Sequence, residues 1–331
     1  MARPPAYLAS AYMTIGLPRH DTRRASDPVP WRAIGIFVAL AFGGAWAAML
    51  PLLLSGFRRT EAAHDMTLLT QICIAVMMLT PALSAFVVLR LIHRPASIRA
   101  AIGLVRPRPL GRLARESLLA PAVPCVLQLL ALGVAALTGA YRLDLANFSG
   151  FRAQFAPATL GQTGVPVAEL ALWLGTLILT MILWLPMFFG EELGWQGYLL
   201  PRLTSLGVWP AMGLTAVVFA LWHLPTLVMG GQYPGHSPLA SVVYMIISTV
   251  LIVPIFAWLR LRSVSVWPAV LAHTFVSNAG VQMIWLFSDA AHPIDPLQAG
   301  LNGWPGWIVM GAFVAFLALT GRLTTASPRR R

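Results

Sequence analysis

Lysine is absent from this chain, and acidic residues are scarce. All 23 basic residues are arginine, against 11 acidic residues in 331 positions, and only 10% of the residues are charged. The lack of lysine is consistent with codon bias in a GC-rich bacterium and carries no mechanism. The low charge instead leaves long apolar runs uninterrupted.

Cysteine is also nearly absent. Cys73 and Cys125 both fall inside apolar runs, without paired spacing or neighbouring ligands. Neither a disulfide framework nor a cysteine zinc cluster is therefore expected. Residues 1–30 have no apolar core ahead of a small-residue cleavage site, so we expect no secretory signal peptide.

Apolar residues make up 58% of the chain, and several runs reach the roughly 20 residues that a helix needs to cross a bilayer. The composition predicts an all-α, polytopic membrane helical bundle. We place eight spans at 33–56, 67–89, 117–139, 170–201, 208–229, 239–259, 266–288 and 303–321. Residues 33–321 would form a single transmembrane domain, between a disordered cytoplasmic tail (1–32) and a basic cytoplasmic tail (322–331).

The arginines predict the orientation of the bundle. With the N-terminus inside, the cytoplasmic segments hold 19 arginines and the outer loops hold 4. Because basic residues are retained on the cytoplasmic side, this split predicts eight spans with both termini in the cytoplasm. The arginines behind the net charge of +12 are therefore expected to contact anionic lipid headgroups, and no nucleic-acid partner is expected.

Two adjacent carboxylates, Glu191 and Glu192, stand within the fourth apolar run. An ionised side chain at the bilayer centre costs at least about 2.5–3.5 kcal/mol, so acids in spanning segments usually mark a functional site. Residues four apart share a helix face, which groups Glu192 with Gln196 and Glu191 with Trp195. We expect one acid to face a cavity and the other to be held by a polar partner along its own helix. Pro186 and Gly190 predict a kink just before the acids.

The next polar spans supply His223 and His273, with Ser277 and Asn278 following the second histidine. A lone histidine on an apolar helix is more often a packing residue than a functional one. At about 1.5 Å of rise per residue, however, Glu191 and His273 lie about 16 Å from the cytoplasmic ends of their helices and His223 about 20 Å. The side chains could therefore meet near the middle of the membrane. If the fourth span stopped at Gly190, the acids would instead lie in solvent.

Such a cluster contains the groups needed to hydrolyse an amide bond. A buried carboxylate paired with a neutral imidazole can take a proton from water and make it a nucleophile. Imidazole and carboxamide donors on a neighbouring helix can stabilise the oxyanion that develops. No serine or cysteine nucleophile with an adjacent base is evident.

Three motifs carry a family resemblance: residues 191–203 with the two acids, Phe219 to His223, and Leu271-Ala272-His273 followed by Ser277 and Asn278. They resemble the signatures of the CAAX-protease and bacteriocin-processing (CPBP, or Abi) family of intramembrane glutamic endopeptidases. The resemblance covers about residues 170–285. It implies that Glu191 and His223 activate water, with Glu192 in the same motif, while His273 and the nearby amide polarise the scissile carbonyl.

The resemblance further implies a peptide or protein substrate and no cofactor. The lysine-free composition favours a bacterial plasma membrane. We favour a metal-free mechanism; a zinc enzyme would use Glu191, His223 and His273 as ligands. One alternative is a non-catalytic scaffold or bacteriocin self-immunity protein of the same family. Another is a proton-coupled transporter, since proton relays also use Glu and His.

The chain departs from the family pattern at two positions. Gln196 stands where the first motif normally has arginine, and a glutamine can hydrogen-bond to Glu192 but cannot neutralise it. Ser277 stands four residues after His273, where the third motif has asparagine, and Asn278 follows it. Either the helix is adjusted so that Asn278 reaches the carbonyl, or Ser277 takes over as donor.

Overall fold

The computed structural model describes residues 28–59, 67–105 and 110–323. Within these ranges the chain is helical and contains no β-strand, apart from an isolated antiparallel bridge between Leu143 and Ser288. The predicted all-α membrane bundle is confirmed. Most of the predicted tails, 1–32 and 322–331, lies outside the described residues, and the first described helix already begins at Trp31.

The helices follow one another along the chain with three π-helical segments among them. The α-helices are α1 Trp31–Leu54, α2 Leu68–Val88, α3 Ile98–Ala101, α4 Leu110–Leu137, α5 Ser149–Phe155, α6 Val167–Glu192, α7 Leu200–Leu203, α8 Val208–Trp222, α9 Leu224–Val228, α10 Pro238–Ser263, α11 Trp267–Phe275, α12 Val281–Leu286 and α13 Trp304–Leu319. The π-helices are Leu89–His93, Leu193–Leu199 and Val276–Gly280, and short 3-10 turns occupy Pro157–Thr159 and Thr204–Leu206.

Six helical stretches are long and apolar enough to cross a membrane, and two shorter apolar helices, α8 and α13, accompany them. The chain is thus an integral membrane protein. Each of the eight predicted apolar segments corresponds to one of these helices; the number of true crossings and the side of each terminus stay predictions. The exposed face of α6 carries large apolar side chains, which suits contact with lipid, including Leu172, Ile178, Leu179, Ile182 and Leu183.

Helices α2, α6, α8 and α10 each pack against other helices of the bundle. Helix α2 lies between α1 and α6, α8 packs on α10, and α11 contacts α4, α6 and α10. Aromatic rings fill the space beside the end of α6: Phe37 meets Trp195 edge-on at 5.7 Å between ring centroids, and Trp195 meets Trp222 at 5.7 Å. This packing brings the ends of α6, α8 and α11 together.

A buried ion-pair network joins α4 to α10. Glu116, whose side chain is fully buried, accepts a hydrogen bond from Arg115 at 2.9 Å and forms an ion pair with Arg262 at 2.9 Å. The backbone N–H of Val266 donates to the carbonyl of Gly103 at 3.0 Å. Gly103 and the first part of α4 are therefore packed against the α10–α11 junction.

Candidate active site

The two adjacent acids lie at the end of α6, where this helix approaches α2 closely. A Cβ added at Gly190 would lie 2.9 Å from the carbonyl oxygen of Met78, and one at Gly194 would lie 2.9 Å from the carbonyl carbon of Pro81. Only glycine permits such backbone proximity, a pattern common between membrane helices. The α-helix runs unbroken through Pro186 and Gly190, and the irregular backbone begins after the acids, at Leu193.

A cavity of about 260 Å³ brings most of the predicted site residues together. Its lining includes Glu191 from α6, His223 from the α8–α9 junction, and His273, Ser277 and Asn278 from α11 and the π-helix after it. Glu192 is not among the lining residues. The segments therefore converge as predicted from their depth, with one of the two acids facing the shared space.

His223 is the single residue between α8 and α9, two positions before Pro225. Its Nδ1 lies 2.9 Å from the carbonyl oxygen of Phe219, which can only accept, so Nδ1 carries the proton and donates. The neutral ring consequently has its lone pair on Nε2. A proton acceptor is the group required beside a water molecule that is to be activated.

Glu192 binds His273 on the Nδ1 side of its ring. Its Nδ1 donates to Glu192 Oε1 at 2.7 Å, and both side chains are buried. The ring packs among Phe188, Phe219 and Phe256, with centroid distances of 4.9, 5.7 and 5.3 Å. The carboxylate and the aromatic rings fix the imidazole and leave Nε2 as the nitrogen available to the cavity.

Glu191 differs from Glu192 in having no hydrogen-bond partner among the described residues. Among the described residues no group hydrogen-bonds to its carboxyl, and Oε2 is buried. Buried polar groups without partners are rare in native structures and are often functional. A water molecule or a substrate in the cavity is the natural partner for this carboxyl.

Residues 171–279, which contain all of these side chains, match the family model described as Type II CAAX prenyl endopeptidase Rce1-like. The chain carries an Rce1-like domain. Over these residues the chain is similar to CAAX-type endopeptidases. No curated protein matches the chain.

Gln196 does not pair with Glu192 as the sequence suggested. The side chain is buried, and neither its amide nitrogen nor its amide oxygen has a hydrogen-bond partner among the described residues. The expectation that Glu192 would be held along its own helix is wrong, because its partner is His273 on α11. The π-helix that begins at Leu193 changes the number of residues per turn, so the four-residue spacing no longer aligns Glu192 with Gln196.

Another π-helix, Val276–Gly280, carries Ser277 and Asn278. A π-helix closes its turns with one more residue than an α-helix. Both Ser277 and Asn278 line the cavity, and Asn278 Nδ2 donates to the carbonyl of Thr274 at 3.2 Å. The helix is thus adjusted at the point where the family spacing is exceeded by one residue, and both candidate donors remain at the cavity.

Within the described ranges, no group of three or more His, Cys, Asp and Glu side chains is arranged to bind a metal ion. The zinc alternative with Glu191, His223 and His273 therefore lacks a preformed ligand triangle in this part of the chain.

Two cavity residues had no signal in the sequence. Arg59, from the segment after α1, and Gln232, from the loop before α10, both line the cavity. Neither belongs to a recognisable motif, and Arg59 is more than 130 positions from the nearest acid of the site. The one unusual feature of Arg59 in the sequence is its position, because it is one of four arginines outside the predicted cytoplasmic segments.

Proposed function

We propose that this protein is an intramembrane endopeptidase that hydrolyses peptide bonds of membrane-associated proteins or peptides with a water molecule activated by Glu191 and His223. The observation that carries the proposal is the shared cavity. In it a buried carboxyl, without a hydrogen-bond partner in the described part of the chain, faces two imidazoles from other segments. We assign the protein to a bacterial plasma membrane, on its arginine-only basic composition.

In the proposed reaction, Glu191 removes a proton from water while His223 Nε2 accepts a hydrogen bond from the same molecule. The water oxygen attacks the carbonyl carbon, and the carbonyl oxygen becomes an oxyanion. His273 and Asn278 or Ser277 donate to that oxygen. The C–N bond then breaks as the proton held by Glu191 passes to the leaving amine, which returns the carboxylate to its initial state.

Glu192 has a different task in this proposal. It holds the His273 ring by accepting from Nδ1, and so acts as a positioning residue without touching the substrate. A negative charge behind the imidazole also favours the positively charged ring, which is the better partner for an oxyanion.

The test is peptide cleavage by the purified protein and by Glu191→Gln and His223→Ala variants. Removing a general base typically lowers the rate about 10²–10⁴-fold, and we expect losses of that size in kcat. Glu169→Gln is the matched control, because Glu169 lies in the first turn of the same helix, outside the cavity lining. Equal turnover by wild type and Glu191→Gln would contradict the proposal and favour a non-catalytic family member.

Treatment with a chelator distinguishes the metal-free mechanism from the zinc mechanism. A metal-free enzyme should keep its activity after treatment with a strong zinc chelator and removal of the chelator. A zinc enzyme should lose activity and regain it on reconstitution with zinc.

A further inference from the structure

A second cavity adjoins the proposed catalytic one. Its volume is about 480 Å³, within the range of about 300–1,000 Å³ typical of ligand pockets. Gln232, in the loop before α10, lines both cavities. Val276 and Gly280, from the π-helix that carries Ser277 and Asn278, also line the second cavity. The two spaces therefore meet at Gln232.

The catalytic cavity is small for a peptide. Its volume of about 260 Å³ is below the range of about 300–1,000 Å³ that ligand pockets typically have. A polypeptide cut beside Glu191 must therefore extend out of this cavity. The second cavity is an adjoining space into which the chain can extend past Gln232.

The walls of the second cavity suit an apolar side chain. Ile284 and Leu301 supply aliphatic surface, and Trp285 supplies an aromatic ring. Most of the lining residues lie outside 171–279, so the family match does not describe this space. An apolar or aromatic side chain of the substrate would bury its surface here.

The loop that carries Gln232 is fixed on one side to the helix that follows His223. The backbone N–H of Gly231 donates to the carbonyl oxygen of Thr226 at 2.8 Å, and a Cβ added at Gly231 would lie 2.7 Å from the same oxygen. Thr226 belongs to α9, which begins directly after His223. The position of Gln232 is thus tied to that of a proposed catalytic residue.

The residue on the other side of Gln232 is fixed to α10. Tyr233 is buried, and its hydroxyl lies 2.7 Å from Ser248 Oγ and donates to the carbonyl of Asn302 at 3.0 Å. Ser248 lies within α10. Because both neighbours are held, the side chain of Gln232 projects from a fixed backbone at the junction of the cavities.

The carboxamide of Gln232 has binding capacity that the described protein does not use. Its Oε1 is buried and has no hydrogen-bond partner among the described residues. In the proposed reaction, one hydrogen of the water passes to Glu191 and the other is donated to His223, so the water does not need Gln232. A carboxamide both donates and accepts, as does a peptide group, and the two can pair.

We propose that Gln232 is a substrate-binding residue whose carboxamide pairs with a backbone peptide group of the substrate where the chain leaves the catalytic cavity. The inference rests on the proposed peptidase function and adds a residue outside the three motifs. The pairing fixes the chain beside Glu191 whatever its side chains are. The second cavity then selects for an apolar residue close to the cut bond.

Binding is measured by fluorescence anisotropy on the Glu191→Gln protein in detergent, so that the peptide is not consumed. The probe is fluorescein-labelled Ala-Ala-Gly-Ala-Phe-Ala-Gly-Ala-Ala, in which the single phenylalanine suits the second cavity and sets one register. Each analogue replaces one backbone amide with an ester. The ester lacks the N–H donor and has a weaker acceptor.

A neutral hydrogen bond has a net effect of about 2–10-fold on binding, so at least one ester should weaken binding by that factor. Adding Gln232→Met should weaken the parent peptide by a similar factor and abolish the effect of that one ester. Gln232→Asn, which keeps a carboxamide on a shorter side chain, should abolish it too. Structural damage would instead weaken all peptides alike and leave every ester effect in place.

Gln154→Met is the matched control, because Gln154 lines the second cavity and not the catalytic one. It should leave the effects of all the esters unchanged. The inference is overturned if the parent peptide does not bind, if Gln232→Met leaves its affinity unchanged, or if every ester effect survives both changes at Gln232.

Cleavage with Glu191 intact separates this inference from the proposed function. Gln232→Met should raise KM about 2–10-fold and leave kcat within about 2-fold, because the backbone contact is made in the ground state and the transition state alike. If the wild type cuts the peptide and Gln232→Met has the same KM, the role of Gln232 fails and the peptidase function stands. If the wild type does not cut it, the peptidase function fails for this peptide, and the binding comparison still decides the role of Gln232.

Discussion

Glu192 is an acid that lies outside the catalytic cavity yet contacts a residue inside it. Replacing it with glutamine keeps an acceptor for His273 Nδ1 and removes the charge. The loss of a charged hydrogen bond, about 1.5–3 kcal/mol, corresponds to about a 10–100-fold fall in kcat. KM should change little, because Glu192 does not line the cavity. Steady-state kinetics of Glu192→Gln would check this; a rise in KM at constant kcat would contradict the positioning role.

Gln196 offers a second prediction at the scale of the residue. Its buried amide has no partner in the described residues, and replacing such a group by an apolar one of similar shape is often neutral or stabilising. We expect Gln196→Met to raise the midpoint of thermal unfolding and to leave kcat/KM within about 3-fold. A fall in thermal stability would instead indicate that a buried water molecule bridges the amide to Glu192.

At the scale of the element, the contact between α2 and the end of α6 depends on glycine. A side chain at Gly194 would overlap Pro81, so we expect Gly194→Ala to destabilise the protein by about 1–3 kcal/mol and to reduce activity by moving both acids. Gly175→Ala, within α6, is the control, because no atom lies within 4 Å of the added Cβ. That change should stabilise slightly, since alanine is the better helix former. Thermal unfolding of both variants decides; equal effects would show that the close approach is not required.

The π-helix Val276–Gly280 gives a sharper test of the third motif. Deleting Ser277 removes one residue from a turn that already holds one more than an α-helix does, so the deletion should convert it to α geometry and leave Asn278 four places after His273. We expect turnover within a few-fold of wild type. Deletion of Leu271, in the regular part of α11, should abolish turnover because it rotates His273 by about 100°. Loss of activity in the Ser277 deletion, with the fold intact, would make Ser277 the donor.

At the scale of the whole molecule, the arginine distribution predicts how the bundle sits in the membrane. With 19 arginines assigned inside and 4 outside, both termini should lie in the cytoplasm. A green fluorescent protein fused to the C-terminus should therefore fluoresce in a bacterial host. Alkaline phosphatase inserted at Gly161, in the loop before α6, should be active outside. The reverse pattern would require an odd number of crossings or the opposite orientation.

Much of the fold could be predicted because composition alone decides it. Apolar runs long enough to cross a bilayer are placed in the membrane. Backbone N–H and C=O groups cannot hydrogen-bond to water there, so each run forms a helix that pairs them internally. The location of the site was also predictable, since Glu191, His223 and His273 are ionisable groups in apolar segments and the cavity contains all three. The details of the backbone were not predictable: the π-helical turn begins at Leu193, directly after the acids, where no residue pattern marks it.

The membrane class and the helical fold follow from local residues, because each depends on the hydrophobicity and charge of individual segments. Helix packing sets which acid faces the cavity and which is bound to His273, 81 positions away. It alone placed Arg59 beside a histidine more than 160 positions distant. Such pairings depend on how helices pack side by side, and no local pattern of residues encodes the register between two helices.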